Sequence, residues 1–183
     1  MNPSLYSVHA VILLDNDGKR IFPKYYTRKD FPPLFSSTKE QEKFEKGLFV
    51  KTKKTHAEIL MYEGQVVCYK SIGDVYFYLI GRSDENELIL STALNAFIEA
   101  TSILLNDVID KRNILDKLDM VMLALDETID DGIILETSAP VIAERVSRRP
   151  TKNVDMDLSN INEHTIKEAS KQATEWFRSF ISA

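Results

Sequence analysis

Val75-Tyr76-Phe77-Tyr78-Leu79-Ile80 is an unbroken apolar run of aromatic and β-branched residues that stops at Gly81. That pattern predicts a strand covered on both faces. After polar Arg82-Ser83-Asp84, Glu85 to Asn106 carries two overlapping apolar stripes. One is Leu90, Leu94, Phe97, Thr101 and Leu104; the other is Ile89, Ala93, Ala96, Ala100 and Ile103. Both keep the three- and four-residue spacing of a helix face, so the helix needs cover on more than one side. This strand and helix form the expected spine.

Upstream, Leu5 to Leu14 reads as a strand, apolar at both parities over Ala10–Leu14 and therefore central. Asp15-Asn16-Asp17-Gly18 makes a turn, and Lys19 to Tyr26 returns as an edge strand marked by Pro23. Thr27 to Ser36, with Pro32-Pro33, is loop; Ser37 and Glu40 then form a capping box for a helix reaching about Lys51, with Phe44 and Leu48 on one face. Glu58–Tyr62, Gln65–Lys70 and the Val75 strand are joined by Glu63-Gly64 and Ser71-Ile72-Gly73, which predicts an antiparallel meander.

Beyond the spine, a helical stretch from Asp110 places Leu115, Leu118, Met122 and Leu125 at helical spacing, with Gly132 as its left-handed cap. Ile133–Leu135 is a short extended segment, and Ser138-Ala139-Pro140 opens a helix of about two turns. Residues 1–147 make the expected domain and 148–161 a polar linker. Residues 162–183 make an amphipathic helix with Ile166, Ala169, Ala173, Trp176, Phe177 and Phe180 on one face. One helix between two groups of antiparallel strands lies on one sheet face, and the later helices cover the other. The class is α+β.

Composition narrows the function. With 183 residues, 44 % of them hydrophobic, the chain can fill a sizeable core, and its net charge of −5 offers no electrostatic case for nucleic acid. The single cysteine, Cys68, excludes an internal disulfide and suits a reducing compartment. No leader pattern follows Met1, and no uninterrupted apolar run approaches the roughly 18 residues of a membrane span.

The chemical inventory is thin. His9, His56 and His164 lack metal-type spacing, Cys68 has no basic neighbour in sequence, and no phosphate loop or nucleophile elbow occurs. Asp15-X-Asp17-Gly18 lacks the further ligands of a calcium loop. Asp126-Glu127 and Asp130-Asp131 crowd a helix end where the macrodipole disfavours them, so a nearby base or a partner is expected to offset them. Lys51-X-Lys53-Lys54 and Arg145-X-X-Arg148-Arg149 read as solvated faces. No enzyme, cofactor or metal is expected. Partner contact is assigned to the two sheet edges, at Tyr25 and Tyr26 and at Ile59 and Met61, and to Asp130 and Asp131.

Leu5 to Ile21, followed by Lys24-Tyr25-Tyr26, resembles the opening of the zeta subunits of COPI coatomer. The likeness continues through Phe44-Glu45-Lys46, Asp74–Tyr78 and Glu85–Leu88, is most specific at Leu125–Thr137, and closes at Arg145-Val146-Ser147. The sigma small chains of clathrin adaptors are more distant relatives. The resemblance implies a longin-like fold, a five-stranded antiparallel sheet with one helix on one face and a helical layer on the other. It also implies a non-catalytic subunit paired with a gamma-type coatomer subunit, associated with the other coatomer subunits, and recruited with them to Golgi membranes by an Arf-family GTPase. The coat serves retrograde Golgi-to-ER and intra-Golgi transport, and the chain is peripheral on the membrane only through the complex. The alternatives are a stand-alone longin-type regulator of a small GTPase and a sigma-type adaptor chain.

Overall fold

The computed structural model describes residues 6–27, 35, 37–54 and 57–148. The expected linker, apart from Arg148, the C-terminal helix, His56, His164 and most of the Thr27–Ser36 loop lie outside the described residues. The strands are β1 (Val8–Asp15), β2 (Arg20–Tyr25), β3 (Ile59–Tyr62), β4 (Gln65–Ile72) and β5 (Val75–Gly81). They form one antiparallel sheet in the order β2-β1-β5-β4-β3. The strands apolar at both parities, β1 and β5, lie side by side in its interior.

Alternation along each strand divides the core in two. Ala10, Ile12, Leu14, Val67, Tyr69, Tyr78 and Ile80 face α1 (Thr38–Thr52), which contributes Phe44, Leu48 and Phe49. Val11, Leu13, Val66, Cys68, Val75, Phe77 and Leu79 face the opposite layer. Val8 joins that second set despite its even number, because the register slips between Val8 and Ala10. One extra residue in a strand moves the side chains beyond it to the other face.

α1 starts where Ser37 Oγ accepts the Glu40 N–H at 3.4 Å. Its interior Gly47 gives up helix propensity for space: a Cβ there would stand 2.1 Å from the Tyr62 hydroxyl. The other layer is α2 (Glu87–Leu104), α3 (Lys111–Asp116), α4 (Leu118–Thr128) and α5 (Ala139–Arg148). By length and composition α2 is apolar enough to cross a membrane; here it is the core helix, with Leu90, Leu94, Phe97, Thr101 and Leu104 buried on the sheet. Its Ala93, Ala96 and Ala100 are buried as well, on the flank that meets α4 and α5. Small residues on both helices, including Ala139 and Ala143, let those axes approach.

Three expectations change. The helix after Asp110 is two helices, broken at Lys117, whose backbone leaves the helical region (φ −123°, ψ 35°). Its buried stripe is Ile114, Val121, Ala124, Leu125 and Thr128, whereas Leu115 and Met122 face outward. Both stripes fit helical spacing, and the one with smaller residues packs against the alanine flank of α2. Gly132 does not cap a helix: α4 ends at Thr128, and β6 (Ile129–Asp130) turns through Asp131 and Gly132 into β7 (Ile133–Ile134). Asp131 (φ 47°) and Gly132 (φ 80°) are both left-handed, as a two-residue hairpin turn requires. A Cβ on Gly132 would stand 2.5 Å from the Val8 carbonyl oxygen, and Val8 N–H donates to the Gly132 carbonyl at 3.0 Å. Finally, Ser71 and Ile72 belong to β4, so the turn into β5 is Gly73-Asp74 alone.

Candidate partner-binding surface

β2 carries polar side chains that reach back into their own chain. Arg20 donates through Nε and Nη2 to the two carboxylate oxygens of Glu45, the second contact at 2.8 Å. The Tyr25 hydroxyl donates to Glu45 Oε1 at 2.7 Å. Glu45 is only 2 % exposed, and this bidentate pairing is what makes a buried carboxylate tolerable. Burial, then Glu45, holds the Tyr25 phenol well above its ordinary pKa.

Tyr26 points to the other side of the sheet and donates to the Ile129 carbonyl at 3.2 Å. Burial pushes its phenol up, and the carboxylates of Asp126, Asp130 and Asp131 add to the shift. The structure thus brings Tyr26, Asp130 and Asp131 together, while Tyr25 packs on the α1 side and Ile59 and Met61 stand at the far edge. Lys24 bonds Asp126 and lies 5.5 Å from the Tyr26 ring centre. Arg145 reaches Glu127 at 3.6 Å and Glu136 at 3.5 Å. Those bases offset the carboxylates crowding the end of α4.

The β3 edge is built differently. Glu58 C=O accepts from Tyr69 N–H, and Tyr62 lies opposite Gln65 across a two-residue turn. Even-numbered residues therefore bond β4, and Ile59 and Met61 aim their N–H and C=O groups outward. Lys51 Nζ donates to the Met61 carbonyl at 3.4 Å and lies 5.4 Å from the Tyr62 ring centre.

On the α2 side of the sheet Met61 is 52 % exposed and Ile59 also shows to solvent. Ile59 lies opposite Cys68, whose thiol donates to the Glu87 carbonyl at 3.6 Å. The strand beside this edge, β4, therefore meets the first turn of α2. Burial, then Glu87, pushes the Cys68 thiol up to about 11, so it is protonated and inert at neutral pH. On that turn Leu88 is 67 % and Ile89 53 % exposed. Leu88, Ile89, Thr92 and Thr137 line a groove of about 300 Å³. Leu88 and Ile89 are exposed apolar residues that the sequence reading did not assign to a contact surface. Ile89 continues the alanine stripe, but the stripe's cover ends before it; Leu88 belongs to neither stripe, and that was the available signal.

Asp15 and His9 also have structural partners. Asp15 Oδ1 accepts from Asp17 N–H at 3.0 Å and Lys19 N–H at 2.8 Å, while Oδ2 meets Lys111 Nζ at 2.7 Å. The Asp15 loop is a hairpin turn. His9 pairs with Gln65 at 2.9 Å, and burial lowers its pKa. Among the described residues no group of three His, Cys, Asp or Glu side chains is placed to hold a metal.

Residues 7–153 match the clathrin adaptor complex small chain family. The coatomer subunit zeta of Saccharomyces cerevisiae is 45 % identical, with 85 % of each chain covered. Coatomer subunit zeta-1 of Oryza sativa subsp. japonica is 43 % identical over 92 % of this chain and 93 % of the relative. Coatomer subunit zeta-1 of Bos taurus is 40 % identical over 96 % of this chain and 95 % of the relative. A chain of a homology model of the full-length AP-3 complex in a stretched open conformation superposes with a TM-score of 0.60. It is 16 % identical, and the match covers 76 % of this chain and 91 % of that one. That likeness establishes the shared longin-like fold.

Proposed function

The chain belongs to the clathrin adaptor complex small chain family, and from that premise we propose that it is the non-catalytic small subunit of a COPI-type coatomer. The observation that carries this reading is the 40–45 % identity to coatomer zeta subunits from yeast, plant and mammal, each across most of both chains. It pairs directly with a gamma-type large subunit. The assembled coat is recruited to Golgi membranes by an Arf-family GTPase and buds vesicles for retrograde transport, so this subunit reaches the cytosolic membrane face only through the complex.

The chemistry supports an assembly role. Asp126 and Glu127 are neutralised by Lys24 and Arg145, Asp15 by Lys111, and Cys68 is a protonated buried thiol. Outward apolar surface includes Met61, Leu88 and Ile89, which stand close together at one side of the sheet, as well as Val50, Val108 and Leu135 elsewhere. An obligate pair covers on the order of 2,000 Å² or more in total, chiefly apolar at its centre. Co-expression of the full chain with a coatomer gamma subunit is expected to give one stable 1:1 complex in size-exclusion chromatography. Two proteins eluting separately would overturn the reading.

A further inference from the structure

We propose that Ile59, Met61, Leu88 and Ile89 form one apolar band that seats an amphipathic helix of the large-subunit partner, its apolar ridge flanked by lysine or arginine. The proposal rests on the coat-subunit reading and specifies where and how that partner is held.

Continuity of the band follows from register. Met61 lies opposite Val66 and Val66 opposite Gly81, the last residue before the loop into α2. Ile59, one pair along, lies opposite Cys68, which bonds the Glu87 carbonyl. The exposed residues of β3 therefore flank the first turns of α2 on one side. Across those turns Leu88, Ile89 and Thr92 lead to Thr137 and the groove of about 300 Å³. Apolar side chains from two rigid elements, more than half exposed at Met61, Leu88 and Ile89, make the desolvated centre that interface hot spots need.

Charge identifies the ridge that fits. Glu87 and Glu99 are the only charged residues of α2, and Glu58 precedes β3. Among the cations near the band in sequence, Lys51 lies over Tyr62 at the Met61 carbonyl, Lys53 turns to the Asn16 carbonyl, and Arg82 pairs with Asp84 at 2.8 Å. Glu58 and Glu87 outnumber Lys51 at the band and favour a partner segment with flanking cations. The backbone argues for a helix rather than an added strand, because β3 offers only four residues and Lys51 occupies one of its outward carbonyls. Side chains are what this edge presents, and a helix laid into a groove reads side chains.

The test uses the full chain co-expressed with the gamma subunit, and measures exchange of the small subunit against an excess of tagged wild-type chain. Met61→Glu with Leu88→Glu is expected to speed exchange at least tenfold. Met122→Glu, another outward apolar site, on α4, leaves it unchanged. Glu58→Gln with Glu87→Gln slows association about threefold at low salt, and the difference vanishes at high salt. Thermal melting of each variant shows that it folds; Met61→Gln with Leu88→Gln gives a milder pair should the acidic pair melt early. A wild-type complex with unchanged exchange for both band variants overturns the band and leaves the coat reading standing. Equal effects at Met122 overturn it too, as does a band whose loss only dissolves a homodimer. Failure of the wild-type chains to associate removes the coat reading and the band together.

Discussion

β2 and β3 close opposite edges of one sheet, each with a partner strand on one side only. Both leave backbone groups outward, β2 fewer because Pro23 has no N–H, and the sequence reading treated both as contact surfaces. Their side chains differ. β2 sends Arg20 and Tyr25 to Glu45 on one face, and Lys24 to Asp126 on the other, where Tyr26 just beyond it reaches Ile129. It is wired into its own domain. β3 spends Tyr62 on α1, leaves Ile59 and Met61 in water, and covers one carbonyl with Lys51. An edge committed internally holds a fold; an edge with uncommitted apolar side chains is available to another chain.

The largest break in this contrast is expected at Glu45. Glu45→Ala removes the acceptor for Arg20 and Tyr25 and strands a half-buried guanidinium. The expected loss is about 3 kcal/mol, the low end for breaking a buried pair because Arg20 keeps some contact with water. Urea unfolding measures it. A loss below about 1 kcal/mol would class the pair with surface ion pairs and erase the distinction between the edges.

Two left-handed turn glycines, one beside each edge, give a matched comparison of about half that size. Gly132, beside Tyr26, has φ 80° and the Val8 carbonyl where a Cβ would go. Gly64, joining β3 to β4, has φ 75° with nothing within 4 Å of that position. Gly64→Ala should cost only the left-handed penalty, roughly 1–2 kcal/mol, and Gly132→Ala clearly more, because backbone must also move. Equal thermal shifts for the two variants would mean that the β6–β7 hairpin yields freely and does not brace the β2 edge.

Much of this architecture was legible. Apolar runs at both parities marked β1 and β5 as interior, and Gly and Asn–Asp clusters marked most turns. The two stripes of α2 announced a helix covered from two sides. Less legible was what depends on distant residues. Lys24 and Asp126 are 102 positions apart, and Tyr26 and Ile129 are 103 apart. Without those contacts Tyr25 and Tyr26 look as available as Ile59 and Met61. The outward turn of Leu115 and Met122 was hidden for a related reason. Two stripes share the helical period, and the alanine flank of α2 that selects between them is remote in sequence.

The tyrosines of the β2 edge make a pH-dependent version of the comparison. Burial raises Tyr25 and Tyr26 above the ordinary value near 10. A raised folded-state pKa keeps the proton on the native form, so its contribution is complete below about pH 10 and is lost as pH rises toward the folded value. Stability should fall above pH 10 by up to about 1.4 kcal/mol per pH unit for each phenol. Tyr26→Phe should remove one proton's share of that slope, read from urea midpoints at successive pH values. Tyr62 on β3 is also raised, by burial and by Glu63. It is nearer solvent, so Tyr62→Phe should flatten the slope less; an equal flattening would place both edges in the same environment.

The smallest effect on stability separates the edges most directly. Lys51 is long, cationic and laid over Tyr62, with its ammonium on the outward Met61 carbonyl. Truncating it as Lys51→Ala removes one surface hydrogen bond and a cation–π contact, an expected change within about 0.5 kcal/mol. The effect on association should be larger than that figure. With the lysine gone, the outward groups of Ile59 and Met61 are free to meet the same groups on a second copy, and Ile59 and Met61 supply apolar contact beside them. Sedimentation of the variant should then show concentration-dependent dimer where the wild-type chain stays monomeric. Adding Met61→Lys should restore the monomer. If Lys51→Ala stays monomeric at every concentration, the brevity of β3 protects the edge by itself, and the lysine serves only to pin α1 to Tyr62.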